Sequence, residues 1–413
     1  MNDTALRSDT LVAAPSIGGH TAASLVERFG SPLYVYEAET IRAQFRRLAD
    51  SFAGVRTRLL YACKANNNAA IINLLHGLGA GVDAVSIYEV ELALRCGVPP
   101  EDILFTPNCA PFTEIERAVE FGVHINIDSL TALERFGQRY GAHPCAVRIN
   151  PHIVAGGNAH IQTGHIDSKF GISIHQARHL QRIVKGYGMR INGLHMHTGS
   201  DILDAGAFLA GAEIMFDLAA DFPDLEFLDF GSGFKVPYRP GDVTTDVELL
   251  GARVTERFLT FCRERGTELE LWFEPGKFLV SESGTLLVTV TSIKQTPSCV
   301  FAGVDSGLHQ LVRPMLYDAW HTITNAGPVE AGHERIYTVV GCICETDTLG
   351  SDRKLGELRE GDLLAIHNAG AYGYAMASTY NSRPRPAEVL VDGTDARLIR
   401  RRETLDEIMG LMV

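Results

Sequence analysis

Apolar residues over the first 280 or so positions fall into short β-rich runs, separated by stretches where they recur at helical spacing. The runs are 58–63, 81–85, 103–106, 124–127, 146–149, 193–197, 227–230 and 271–273. Amphipathic segments such as 87–96, 112–121 and 207–218 lie between them, the last ending before Phe222-Pro223. Eight such repeats predict a parallel (β/α)8 barrel. The pattern then changes. Positions 285–293, 337–340, 362–365 and 387–391 read as strands without long helices between them, parted by Gly-Asp, Asp-Gly and Pro-rich turns. This predicts a mainly antiparallel β domain. Leu33-Tyr34-Val35-Tyr36 suits either the start of the barrel or an N-terminal arm that joins the β domain. The expected organisation is an arm over 1–30 that joins the β domain, a barrel over 31–280 and a β domain over 281–413.

The polar residues that close these runs narrow the function. Lys64 (in Tyr61-Ala62-Cys63-Lys64-Ala65-Asn66-Asn67-Asn68), Asp83, Asn108, Asp128, Asn150, His197, Gly231-Ser232-Gly233 and Glu274 each stand at or just beyond a run's C-terminal end. A parallel barrel builds its active site at that face. Asp and Asn there also serve as helix N-caps, which accounts for several of them but not for His197, Glu274 or the glycines. Lys64 is the most telling. A lysine at the tip of a buried strand is costly to desolvate, so it either snorkels or sheds its proton and attacks a carbonyl to form a Schiff base. Taken alone it would read as a surface lysine closing a strand.

Its neighbours change that reading. Asp229-Phe230-Gly231-Ser232-Gly233-Phe234 follows the seventh run. Glycines there let backbone N–H groups close around an anion, aided by the dipole of a following helix. Tight turns use the same residues, but late barrel positions are where these folds place a phosphate. Glu274-Pro275-Gly276-Lys277 follows the eighth run. A carboxylate there either forms a structural salt bridge or pairs with a protonated ring nitrogen, keeping a pyridinium charged as an electron sink. Lys277 can serve a phosphate or a substrate carboxylate. Leu194-His195-Met196-His197-Thr198-Gly199-Ser200 places two histidines on one strand face. No third ligand follows at zinc-like spacing, so no metal is expected. His197 is assigned to pack on a planar ligand, Ser200 and adjacent amides to bind an anion, and His195 to the hydrogen-bonded core. An aldehyde-capturing lysine, a phosphate loop, a ring-nitrogen carboxylate and a flat side chain at one barrel mouth describe a site for pyridoxal 5′-phosphate (PLP).

Composition removes other classes. Of 413 residues, 46% are hydrophobic and 21% charged, an ordinary globular balance for a barrel with an appended domain. A formal net charge of −13 argues against nucleic-acid or anionic-membrane partners. The eight cysteines show no CxxC spacing, so reduced thiols in a cytoplasm are expected rather than a zinc site or a disulfide framework. No signal peptide is recognisable at the N-terminus, and no apolar run reaches the ~18 residues that span a bilayer.

Eight segments carry a family resemblance: YACKANNN, HMHTGS, DFGSGF, EPGKFLV, LVRPMLYDAWH, CICETDTLG, NAGAYGYAMAS and YNSRPRPAEVL. Over nearly its whole length the chain resembles the PLP-dependent decarboxylases with an alanine-racemase-like barrel (fold type III), and within them the branch acting on diaminopimelate. The resemblance implies that Lys64 carries PLP, His197 stacks on its ring and Glu274 pairs with the pyridine nitrogen. Asp83 joins the cofactor site, and Ser200, Gly231, Ser232, Gly233, Gly276 and Lys277 approach the phosphate. Tyr372 contacts cofactor and substrate. Arg313, Tyr317 and Glu345 bind substrate, with Lys277 nearby. Cys344 returns a proton to the carbanion left by carbon dioxide. Cys344, Glu345 and Tyr372 would reach the PLP of a second subunit, making a head-to-tail homodimer. The implied reaction converts meso-2,6-diaminopimelate to L-lysine, the last step of lysine biosynthesis.

Two departures stand out. The family usually has EPGR where this chain has Lys277, which keeps the charge and loses the bidentate fork. The stretch after Cys344-Glu345 is also shorter than the usual pattern, by about a residue. Three competing readings stay open. A decarboxylase of another carboxylated diamine, such as carboxynorspermidine, would change only the distal contacts, and Arg313 argues against a simple cationic end. A racemase would need a second base facing Lys64, usually a tyrosine. A non-catalytic relative would be expected to lose Lys64 or Cys344, and both are present.

Overall fold

The computed structural model describes residues 11–12, 16–153, 168–199, 201–330 and 333–413. The chain forms two compact units, one of residues 1–41, 238–242 and 280–413, the other of residues 42–237 and 243–279.

The second unit is a closed parallel barrel. Its strands are β1 (Thr57–Ala62), β2 (Gly81–Ala84), β3 (Ile103–Phe105), β4 (His124–Ile127), β5 (Cys145–Asn150), β6 (Ile191–Met196), β7 (Phe227–Asp229) and β8 (Glu270–Phe273). Each pairs with the next in parallel, and β8 closes the ring on β1 with Leu271, Trp272 and Phe273 opposite Thr57, Arg58 and Leu59. All eight runs read from the sequence are these strands. The strands are short and mostly buried because helices cover their outer face.

Helices follow the strands, and side chains close the first turns of five of them. Asn68 accepts from the Ala70 amide, Ser86 from Glu89, Ser129 from Ala132, Asp204 from Gly206 and Asp246 from Leu249. None of these capping residues is a member of the strand-end set that begins with Lys64 and Asp83. Capping therefore does not explain that set, which is left for the barrel mouth.

Side chains fill the barrel interior. Leu60, Leu104, Ala146, Phe227 and Trp272, from β1, β3, β5, β7 and β8, form one buried cluster. The Phe227 and Trp272 rings stack with centroids 3.7 Å apart and planes 5° apart. Gly193 on β6 makes room for this pair, since a Cβ there would lie 2.2 Å from the Phe227 ring.

The first unit is built on a mixed, mostly antiparallel sheet. Its long strand Gly284–Gln295 pairs antiparallel with Leu33–Glu37, Val300–Val304 and Leu363–Ile366. Ala387–Asp392 runs parallel to Leu33–Glu37 and turns at Gly393 into Asp395–Arg400. Glu334–Val340 lies parallel to Val300–Val304 and antiparallel to Thr348–Gly356. Residues 31–41 belong to this unit; the sequence reading drew the barrel from residue 31 but left Leu33–Tyr36 open between the barrel and the β domain. Leu33, Tyr34, Val35 and Tyr36 are all fully buried, with Tyr34 and Tyr36 donating to Gln310 O and Glu388 Oε1 at 2.6 Å. A strand covered on both faces, with partners on both edges, has its place in the interior of a sheet.

The Gly193 packing is testable. Gly193→Ala is expected to destabilise the chain by about 1–3 kcal/mol through overpacking against Phe227, read as a lower Tm. An unchanged Tm would show that the Phe227 and Trp272 stack yields freely.

Candidate active site

The C-terminal ends of β1, β2, β6, β7 and β8 bring the strand-end residues into one buried polar cluster. Lys64 sits on a single 3-10 turn, Cys63–Ala65, directly after β1. Its Nζ lies 2.7 Å from Oδ2 of Asp83, whose side chain on β2 is fully buried. The segment after β8 is fastened from both sides: the Ala62 amide donates to Pro275 O at 3.2 Å, and the Glu274 amide to Gly231 O at 2.7 Å. Gly276 packs so closely on Ala62 and Ala65 that a Cβ would lie 3.1 Å from either. Glu274 is thus wedged between the Lys64 turn and the glycine loop after β7.

That loop depends on its glycines. Gly231 has φ +61° and Gly233 φ +140°, and a Cβ at either would fall within 3 Å of the β6 end, against His197 Nδ1 or Gly199 O. The close approach lets the Ser232 amide donate to His197 Nδ1 at 3.2 Å. With Nδ1 accepting, the ring carries its proton on Nε2 and is neutral. Burial, helped by the Arg148 charge, lowers His197 to about 3.

The same cluster sorts three buried carboxyl groups. Burial would raise Glu274, but the His195 ring and the Lys64 charge outweigh it and bring the group to about 2. Burial, then the Glu274 charge, raises Asp83 to about 7 against the pull of Lys64. The same two causes push Asp229 well above the carboxylate range, while its Oδ1 accepts from the Gly231 amide at 2.7 Å. Neighbouring carboxyl groups driven apart in this way take different roles. His195, Asp229 and Glu274 bring possible metal-ligand atoms within 4.8 Å of one another. Lys64 and Arg148 already supply positive charge to these groups.

Lys277 is tied to Asp201 by an ion pair in which both side chains are mostly covered. Its cation therefore has a local partner, which the sequence reading did not foresee although Asp201 directly follows the HMHTGS segment. Ser200 lies outside the described residues. The reading also missed Arg148, a buried cation on β5 opposite His195 in the strand register, and took His195 for a core residue. His195 Nε2 is 3.2 Å from Glu274 Oε2, and its shared face with His197 was the available signal.

The remaining assigned residues lie in the other unit. Arg313 opens a short helix that ends at Tyr317. It is 9% exposed, its guanidinium stands over the Tyr238 ring at 4.6 Å, and its buried Nη1 has no hydrogen-bond partner among the described residues. Cys344 and Glu345 are exposed on a loop, where Asn381 Nδ2 donates to Cys344 Sγ at 3.1 Å and Tyr380 Oη to Glu345 Oε1 at 2.9 Å. Hydrogen bonding to Glu345 and then Cys344 raises the Tyr380 phenol to about 12. Tyr372 is half-buried with φ +56°.

Comparison with known proteins defines the class. Residues 38–281 match the family model described as "Pyridoxal-dependent decarboxylase, pyridoxal binding domain". The chain belongs to the pyridoxal-dependent decarboxylase family, so its cofactor is PLP. Within that family it is similar to diaminopimelate decarboxylases. That of Methanothermobacter thermautotrophicus is 39% identical over 404 residues, covering 95% of this chain and 94% of the relative. The crystal structure of diaminopimelate decarboxylase from M. jannaschii in co-complex with L-lysine superposes with a TM-score of 0.89 at 31% identity, covering 98% of each chain. The Helicobacter pylori enzyme complexed with L-lysine gives a TM-score of 0.87 at 32% identity, covering 94% of this chain and 98% of that one. The cluster at the barrel mouth fits the cofactor: it offers a lysine amine, an ionised carboxyl group and a neutral flat ring within one buried region.

The neutral state of His197 has a measurable sign. An unfolded chain protonates this imidazole below about 6.5, whereas the folded chain resists until about 3, so the ring's contribution to stability is lost as pH falls through that window. Cofactor-free His197→Gln is expected to lose less stability than the parent chain between pH 7 and 5, by at most about 1.4 kcal/mol per pH unit. Equal losses in calorimetry would contradict a neutral, buried ring.

Proposed function

We propose that this chain removes one α-carboxylate from meso-2,6-diaminopimelate, giving L-lysine and carbon dioxide, the last step of lysine biosynthesis. The full-length likeness to diaminopimelate decarboxylases supports this, and the two similar structures named above hold L-lysine. The observation that carries the substrate reading is Arg313. A buried guanidinium with an unpartnered Nη1 is costly unless an anion meets it. A distal carboxylate is such an anion, and diaminopimelate has one where lysine and ornithine do not. A charge-assisted contact of this kind is worth roughly 1.5–3 kcal/mol, enough to discriminate strongly.

Bound at the barrel mouth, PLP supplies an electron sink for the pair released as carbon dioxide departs. The proposed roles of the chain follow from its own chemistry. Lys64 Nζ anchors the cofactor. Asp83, raised to about 7 and 2.7 Å away, can take the ammonium proton and leave Nζ a nucleophile. Glu274 holds the ring nitrogen and the His197 imidazole packs on the ring. The glycine loop over 231–233, Ser200, Gly276 and Lys277 serve the phosphate side, with Lys277 sharing its charge with Asp201. Arg313 and Tyr317 take the distal end of the substrate, and Glu345 and Tyr372 complete its binding. Cys344 Sγ donates the proton that replaces carbon dioxide, its thiol oriented by Asn381.

We further propose that Cys344, Glu345 and Tyr372 act on the cofactor of a second copy of the chain, in a head-to-tail homodimer. The exposure of Cys344 and Glu345 in the single chain supports this. No helix among the described residues is long and apolar enough to cross a membrane. Eight free cysteines support a reducing cytoplasm as the place of work.

Carbon-dioxide release should be measured over meso-diaminopimelate, lysine, ornithine, arginine and carboxynorspermidine. The expected result is release from diaminopimelate at least about tenfold above the others, as one charge-assisted contact requires. Preferred release from a substrate without a distal carboxylate would overturn the Arg313 assignment, and release from carboxynorspermidine would favour the alternative carboxylated diamine.

A further inference from the structure

We propose that His195 is a positioning residue for the ring-nitrogen carboxylate: its neutral imidazole directs Nε2–H at Glu274 Oε2 and keeps Glu274 an anion once the cofactor is attached. The proposal rests on the reading of Glu274 as the partner of the pyridine nitrogen.

The geometry is specific. His195 lies on β6 and is 1% exposed, and its Nε2 is 3.2 Å from Glu274 Oε2, with the N–H turned somewhat off the oxygen. Hydrogen bonds at such sites commonly tighten only when the site is filled. Neither Nε2 nor Nδ1 makes a hydrogen bond of full geometry among the described residues, and it is Nε2 that has a carboxylate oxygen at 3.2 Å. A neutral ring in that setting gains most by placing its proton on Nε2, where an acceptor waits. The second carboxylate oxygen, Oε1, has Thr106 Oγ1 at 3.5 Å, a weak contact.

Competition within the cluster makes this donor matter. Asp83, Asp229 and Glu274 are buried together, and like charges raise one another. Asp83 has the Lys64 ammonium, and Asp229 has the Gly231 amide. Lys64 is the one cation that changes on cofactor attachment, because its Nζ becomes bonded to the aldehyde carbon. Beside the weak Thr106 contact, the side-chain donor that stays close to Glu274 through that change is His195, at 3.2 Å. Without it, a proton would reside on Glu274, and a protonated carboxyl group no longer calls for a protonated ring nitrogen.

The test compares PLP with its 1-deaza analogue, in which C–H replaces the ring nitrogen. Apo chains are titrated with each, and the dissociation constants are read from absorbance without any turnover. The parent chain is expected to prefer PLP. His195→Phe should cut that preference by about tenfold or more, by weakening PLP while leaving the deaza analogue nearly unchanged, and His195→Gln, which keeps an N–H donor, should restore much of it. Equal weakening of both ligands in His195→Phe would mean a structural role only and would overturn the proposal, as would an unchanged preference. Glu274→Ala separates the two readings. If it abolishes the preference while His195→Phe does not, His195 fails and Glu274 stands. If the parent chain shows no preference, the ring-nitrogen reading fails and the role of His195 fails with it.

Discussion

An ionised carboxylate cannot sit in a protein interior unless cations and hydrogen-bond donors face it. Glu274 is such a group, 7% exposed and held near 2. The barrel mouth is arranged around this requirement. His195 on β6 and Lys64 after β1 lower the carboxyl group, while burial and then the Glu274 charge raise Asp83 and Asp229. The result is one anion, one lysine amine beside a carboxyl group that titrates near neutrality, and two neutral imidazoles. PLP chemistry needs that distribution of charge: a nucleophilic amine, a charged pyridine nitrogen and a flat uncharged neighbour.

Barrel closure creates the arrangement. Residues 57–62 and 270–273 are far apart in the chain, yet β1 and β8 are adjacent and hydrogen-bonded. The adjacency sets Lys64 beside the Glu274 segment, and the bonds from Ala62 to Pro275 and from Glu274 to Gly231 lock the three loops in register. The Phe227 and Trp272 stack fills the interior of the same barrel, so the polar groups gather at the strand ends. The Cys344 loop in the other unit follows a different principle. It is exposed and braced by Asn381, whose backbone is left-handed at φ +58°, a conformation asparagine adopts readily.

Much of this was legible in the residues. Every barrel strand showed as a β-rich apolar run, because each is buried on both faces and needs little polar punctuation within it. The strand-end position of Lys64, Asp83, His197 and Glu274 was readable for the same reason. What stayed hidden depends on distant pairing. Leu33–Glu37 looks like a first barrel strand by local pattern, and only its partners at 284–287 and 387–391 place it in the other sheet. Thr348–Gly356 escaped notice because it is an edge strand with exposed Ser351 and Asp352. His195 passed as a core residue because periodicity reports which face it occupies and not what lies 3.2 Å beyond it. The Lys277 and Asp201 pair escaped for the same reason, since 76 positions separate its members.

If the buried charge arrangement sets the attachment point, the cofactor is carried by Lys64 rather than by Lys277. Reducing the PLP-loaded chain with borohydride fixes the bond, and mass spectrometry of its peptides then locates it. The expected product carries a pyridoxyl group on Lys64 at close to one per chain. A group on Lys277, or label spread over surface lysines with Lys64 unmodified, would contradict it.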